Sequence, residues 1–192
     1  MTIRSLVPVL VAALLALSNT AHANLITNPG FETGDLTGWT QFGNVGFTGV
    51  DGSPHSGSFS AFLGPVGSLG FLSQTLATTP GVRYDLSFFL QSDGGTPNQF
   101  QVSWNGSLLS DQLNLPAFGY TERDFLNLAA TSSTTPLVFG FRNDPGFLFL
   151  DDVALNPVPE PTTLILFGTT AAGLGLARWR QRRRGKHVAA AE

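Results

Sequence analysis

From Val82 to Leu90 apolar and polar residues alternate, with Val82, Tyr84, Leu86, Phe88 and Leu90 on one parity and Arg83, Asp85, Ser87 and then Gln91 on the other. A period of two is the pattern of a strand with one face in a core and one in water; a helix needs apolar residues every three or four positions. Phe100, Val102 and Trp104 repeat the pattern and run into Asn105-Gly106. That dipeptide suits a type I′ turn, whose two central residues both need positive φ, so a tight hairpin into Ser107–Ser110 is expected. Further strands are expected at Ser58–Leu63, Gly70–Leu76, Thr121–Leu128, Leu137–Arg142 and Phe147–Leu155. Loops such as Asp93–Asn98 and Asn143–Gly146 are rich in Gly, Pro, Asn and Asp. No part of this region carries a sustained helical period. Roughly eight short strands separated by turn signals predict an all-β fold, an antiparallel jelly-roll-type β-sandwich.

The ends of the chain follow different rules. Residues 1–23 carry one cation, Arg4, then an apolar run from Leu6 to Leu17, then Ala21-His22-Ala23. A charged start, a short apolar stretch and a small-x-small site in that order predict a signal peptide cleaved between Ala23 and Asn24. Near the other end, residues 162–177 are uncharged and precede a basic tail at 178–186 containing Arg178, Arg180, Arg182, Arg183 and Arg184. As a helix the uncharged run would rise about 24 Å, short of a bilayer core of about 30 Å, and snorkelling arginines or a thin membrane would close the gap. The arginines would hold this end on the cytoplasmic side, as one transmembrane helix with a basic stop signal.

What remains, residues 24–157, is one domain's worth of chain. It holds eleven acids against Arg83, Arg123 and Arg142, a net charge of −8 that the whole-chain value of −3 conceals. An acidic domain without lysine excludes nucleic acid as a partner, since phosphate neutralisation needs cations. The absence of cysteine excludes a disulfide framework and thiol catalysis, leaving stability to core burial, with or without a metal. Of three His, His22 leaves with the signal and His187 lies in the tail. His55 alone remains, in a Pro-Ser-Gly loop with no nucleophile motif beside it, so no catalytic residue is assigned.

Val158, Pro159, Glu160 and Pro161, the apolar run and the arginine cluster occur together and in order. Jointly they resemble the PEP-CTERM sorting signal, here a tag over residues 158–187, with the extra stretch Gly185–Glu192 as a departure. The resemblance implies an exosortase-like membrane enzyme as partner, following the secretion machinery. It also implies a transient inner-membrane anchor, then release to the cell surface or extracellular matrix of a Gram-negative polysaccharide producer. The domain in turn resembles galactose-binding-like sandwiches and carbohydrate-binding modules. The resemblance rests on Asn24–Asp35, Gly38-Trp39, His55–Ser58 and Leu150–Val153. It implies a structural calcium, with Glu32 and Asp151 matching the carboxylate positions and backbone carbonyls near Asn28 and Ser56–Ser58 as additions. Between Asp151 and Asp152, Asp151 shares parity with Phe149 and Val153, which assigns it to the core side; the alternative is that both acids are solvated or hold a loop.

Sugar binding needs an aromatic face with polar groups beside it, and Trp39, Trp104 and Tyr120 are the candidate platforms. Both tryptophans also have a core reading, Trp104 through its parity with Phe100 and Val102. Three functions therefore stand in order: an exported glycan- or exopolysaccharide-binding protein, a purely structural matrix protein, and a small secreted hydrolase. Surface aromatics in a shallow groove favour the first, an all-polar surface the second, and free carboxylates converging in a cleft the third.

Overall fold

A computed structural model describes residues 23–159. Ten strands follow in chain order: β1 Thr40–Gly43, β2 Thr48–Asp51, β3 Ser60–Leu63, β4 Gly70–Ala77, β5 Arg83–Ser92, β6 Asn98–Trp104, β7 Ser107–Leu113, β8 Phe118–Ala129, β9 Thr134–Asn143 and β10 Leu148–Pro157. They form two five-stranded sheets, β1-β4-β9-β6-β7 (sheet A) and β2-β3-β10-β5-β8 (sheet B), with every pairing antiparallel. The domain is thus the expected all-β sandwich. Two strands were not legible in the sequence, β1 and β2, each four residues long and glycine-bearing, with no buried residue to mark a parity.

The alternation in β5 points Tyr84, Leu86, Phe88 and Leu90 into the core, and that in β6 points Phe100, Val102 and Trp104 the same way. The sheets meet through aromatic contacts: Phe88 of sheet B packs edge-on to Phe139 of sheet A at 5.1 Å and lies 5.7 Å from Phe100. Asn105 and Gly106 both adopt positive φ, 52° and 77°, giving the type I′ hairpin between β6 and β7. The chain divides between Pro157 and Val158 into two units. Residues 1–22 of the signal region, the apolar run 162–177, the basic tail and Glu160 and Pro161 of the sorting motif lie outside the described residues.

The two turn-rich loops singled out above are joined to each other. Asp93 accepts N–H bonds from Gly95 (2.8 Å), Phe147 (2.6 Å) and the Asn143 amide (3.0 Å), while Asp144 N–H bonds the Pro97 carbonyl at 3.0 Å. Burial pushes the Asp93 carboxyl up, but these donors outweigh it and hold the group below its ordinary 3.8. A depressed folded pKa contributes stability that is present above the unfolded value and lost as pH falls through the folded one. Wild-type protein is therefore expected to lose stability below about pH 4 more steeply than Asp93→Asn, as read from urea midpoints between about pH 5 and about pH 3.

Candidate functional site

Two surfaces gather the chemistry, one on the solvent face of each sheet. On sheet B, β10 pairs Asp151 with Phe89 and then Ala154 with Ser87, so an extra residue bulges the strand and Asp152 takes a φ of 49°. The bulge corrects the sequence assignment of Asp151. Residues 149 and 151 both face away from the core, and Val153 returns to it only because the bulge resets the parity. Asp151 is nonetheless fully buried, because the segment Gly52–Phe59 folds over it.

The acids hold that segment through its backbone. Asp151 Oδ2 accepts the N–H groups of His55 (2.7 Å) and Ser56 (3.1 Å), and Oδ1 accepts that of Asp152 (2.7 Å). Glu32 Oε1 accepts the N–H groups of Ser58 (2.9 Å) and Phe59 (3.1 Å). Asp152, which sequence reasoning set aside, bonds Ser56 Oγ at 2.8 Å and lies 2.7 Å from His55 Nδ1. The His55 ring stacks on Phe89 at 3.6 Å. Gly57 is required twice over: its φ is +69°, and a Cβ would overlap the Glu32 carboxylate. Gly30 lies at the centre, since a Cβ there would come 3.4 Å from Asp151 Oδ1, 3.4 Å from Asp152 Oδ1 and 3.7 Å from Glu32 Cγ.

Burial is the largest influence on Asp151 and pushes its carboxyl up despite three N–H donors, with the Asp152 charge adding to the rise. Tyr120 sits in the same field. Burial first, then the charges of Asp151, Asp51 and Asp152, push its hydroxyl up to about 12. Among the described residues no three His, Asp or Glu side chains form a ready-made metal cluster. The carboxylate oxygens here are hard donors of the class calcium takes, but those of Asp151 and Glu32 already accept backbone N–H groups.

The three proposed sugar platforms are not free. Trp39 is 7% exposed, stacks on Phe31 at 5.7 Å and donates its indole N–H to the Asn28 carbonyl. Trp104 is 4% exposed and donates to the Ala129 carbonyl at 2.9 Å. Tyr120 is half-buried, edge-on to His55, with its hydroxyl donated to the Ser53 carbonyl at 2.7 Å. A buried indole offers no face to solvent, so both tryptophans belong to the core, and Tyr120 props the segment that covers Asp151.

An aromatic shelf does exist, on the solvent face of sheet A. Register aligns Phe42, Phe71, Gly140, Gln101 and Asp111 in one row across all five strands. Phe42 stacks on Phe71 at 4.8 Å and 10°, and remains 43% exposed. Phe71 lies flat over Gly140, where a Cβ would come 2.9 Å from Phe71 Cε1 and 3.0 Å from Gln101 Oε1. Beside it Gln99 donates to Asp111 Oδ1 at 2.8 Å, and Arg142 pairs with Asp144 at 2.9 Å. Period two alone would set Phe71 and Gln101 opposite the core residues Leu72 and Val102. It could not say that strands distant in sequence would align them.

These surfaces belong to a sandwich that shares its fold with carbohydrate-binding modules. One is TmCBM61, solved in complex with β-1,4-galactotriose, at 21% identity with a TM-score of 0.56 over 71% of this chain and 99% of that one. Another is the CBM22-1 xylan-binding domain from Paenibacillus barcinonensis Xyn10C, at 17% identity and a TM-score of 0.53 over 73% and 98%. A third is the C-terminal family 22 carbohydrate-binding module of Clostridium thermocellum Xyn10B, at 16% and 0.53 over 69% and 94%. Residues 157–184 match the PEP-CTERM protein-sorting motif, so the chain carries that tag behind its sandwich. No match was found among curated proteins.

Proposed function

We propose that this is an exported, non-catalytic glycan-binding protein that grips a neutral polysaccharide on the solvent face of sheet A. The observation that carries the reading is the Phe42–Phe71 shelf running into Gln101 along one row. Sugar rings present a C–H face that packs on an aromatic ring and hydroxyls that bond amide side chains, and this row supplies both. The domain as a whole has a net charge of −8, which favours uncharged glycans over acidic ones. The carboxylates that converge, on sheet B, are engaged by the backbone N–H groups of 55–59, which supports binding over hydrolysis.

The test is affinity electrophoresis of the mature protein against neutral β-1,4-linked galactose and xylose oligosaccharides and the producer's extracellular polysaccharide. Phe71→Ala and Gln101→Ala are each expected to weaken binding at least ~10-fold, about 1.4 kcal/mol, with the fold unchanged by circular dichroism. Retention equal to wild type in both variants would overturn the assignment.

The same reading places calcium between Glu32 and Asp151, where it would fix the segment 52–59. Adding calcium at ~100 times its Kd is expected to raise stability by about 2.7 kcal/mol over chelated protein, and an unchanged Tm would remove the metal from the account. At the C-terminus the tag would be held briefly in the inner membrane and cut by an exosortase-like enzyme, delivering the sandwich to the surface or matrix. Cleavage after Ala23 would leave Asn24 at the start of the mature chain, and among the described residues Asn24 is the first tied to the sandwich: its amide donates to the Val153 carbonyl and accepts the Leu155 N–H, both at 2.9 Å.

A further inference from the structure

The segment 52–59 covers only part of sheet B's solvent face. Next to it lies a row in which Gly49 pairs with Phe62 and Phe62 with Phe149, ending on Gln91. Beyond that row Gly64 donates its N–H to the Phe47 carbonyl at 2.8 Å. The two glycines leave room for rings to lie against the strands. A Cβ at Gly49 would come 2.8 Å from Phe62 Cζ, and one at Gly64 would come 2.6 Å from Phe147 Cδ1. Phe62 and Phe147 meet edge-on at 5.6 Å and 86°, and Phe149 lies 6.3 Å from Phe147. With Asp51 these three rings line a shallow open pocket.

Asp51 gives the pocket its chemistry. Its Oδ1 accepts the Ser53 N–H at 3.1 Å, and among the described residues no hydrogen bond reaches its Oδ2. A carboxylate oxygen at the edge of an aromatic floor is an acceptor for hydroxyl donors, and charge-assisted bonds of that kind are strong. The same charge repels acidic ligands. An apolar floor of three rings with one acceptor matches a single uncharged pyranose, its C–H face on Phe62 and Phe149 and a hydroxyl donated to Asp51.

We propose that this pocket is a second glycan subsite, for one neutral hexose or pentose unit, on the face opposite the first. It rests on the reading that the sandwich binds glycan. A single chain with a subsite on each sheet would bridge two polysaccharide strands without forming an oligomer, which suits a matrix protein.

The experiment is native mass spectrometry of the mature protein with the neutral oligosaccharides named above, alongside turbidity with a soluble neutral polysaccharide. Wild type is expected to bind two oligosaccharides and to cross-link the polysaccharide. Asp51→Asn keeps the size and removes only the charge; it and Phe149→Ala are expected to bind one, with the second dissociation constant raised at least ~10-fold and turbidity abolished. Should Phe149→Ala fail to fold, Asp51→Asn decides. A wild-type stoichiometry of one that Phe71→Ala abolishes and Asp51→Asn leaves intact overturns the second subsite and preserves the first. A stoichiometry of one with the opposite sensitivity preserves the second and overturns the first. No binding overturns both.

Discussion

Replacing Asp151 by alanine is expected to destabilise the sandwich by about 3 kcal/mol, lowering Tm by roughly 10 °C. The side chain is fully buried and serves the N–H groups of His55, Ser56 and Asp152 at once. Alanine leaves three donors without an acceptor under the 52–59 segment, and hydrogen bonds to a charged group contribute more than neutral ones. Asparagine does little better, because both carboxylate oxygens accept N–H groups and its amide would set donor against donor. The measurement is urea unfolding with calcium and with chelator. The alanine variant should be destabilised in both conditions and should lose any response to calcium. A variant within about 0.5 kcal/mol of wild type in chelator would show that the segment is held by something else.

The second large effect concerns the tag. Replacing Glu160 or Pro161 by alanine is expected to abolish C-terminal processing while export continues, because the two operations use opposite ends of the chain. The two prolines of Val158–Pro161 would favour an extended backbone there, since proline fixes φ and restricts the residue before it. An extended acidic peptide beside an apolar run is what a membrane protease can grip. Intact mass of the exported protein is the readout: the variants should retain the residues after the motif, and wild type should lack them. Equal masses would remove the proposed exosortase step.

The core was legible because it is built from local alternation. Tyr84 to Leu90 and Phe100 to Trp104 announce their inward face without reference to any other strand, and Asn105-Gly106 announces its turn. The resemblance grouped Glu32, Asp151 and Ser56–Ser58 as calcium ligands; the structure brings them together through backbone N–H groups instead of the expected carbonyls, and the parity argument put Asp151 on the wrong face. Two facts defeat it, and neither is local: β10 bulges at Asp152, and a distant segment buries a residue that the sheet turns outward. The aromatic candidates failed for a related reason. Tryptophan is the obvious sugar platform, but here its area builds the core and its N–H finds an internal carbonyl, leaving phenylalanines to furnish the surface. Phe71 gains meaning only when β4, β9 and β6 bring it beside Gly140 and Gln101.

The most direct test of the central claim is retention of the purified mature protein on its producer's extracellular polysaccharide, measured for wild type and Phe71→Ala with calcium present and after chelation. The account predicts that wild type sediments with the polysaccharide and that Phe71→Ala is released at least ~10-fold more readily in both conditions. Wild type left wholly in solution in both conditions would contradict glycan binding and leave a tagged sandwich whose role is structural.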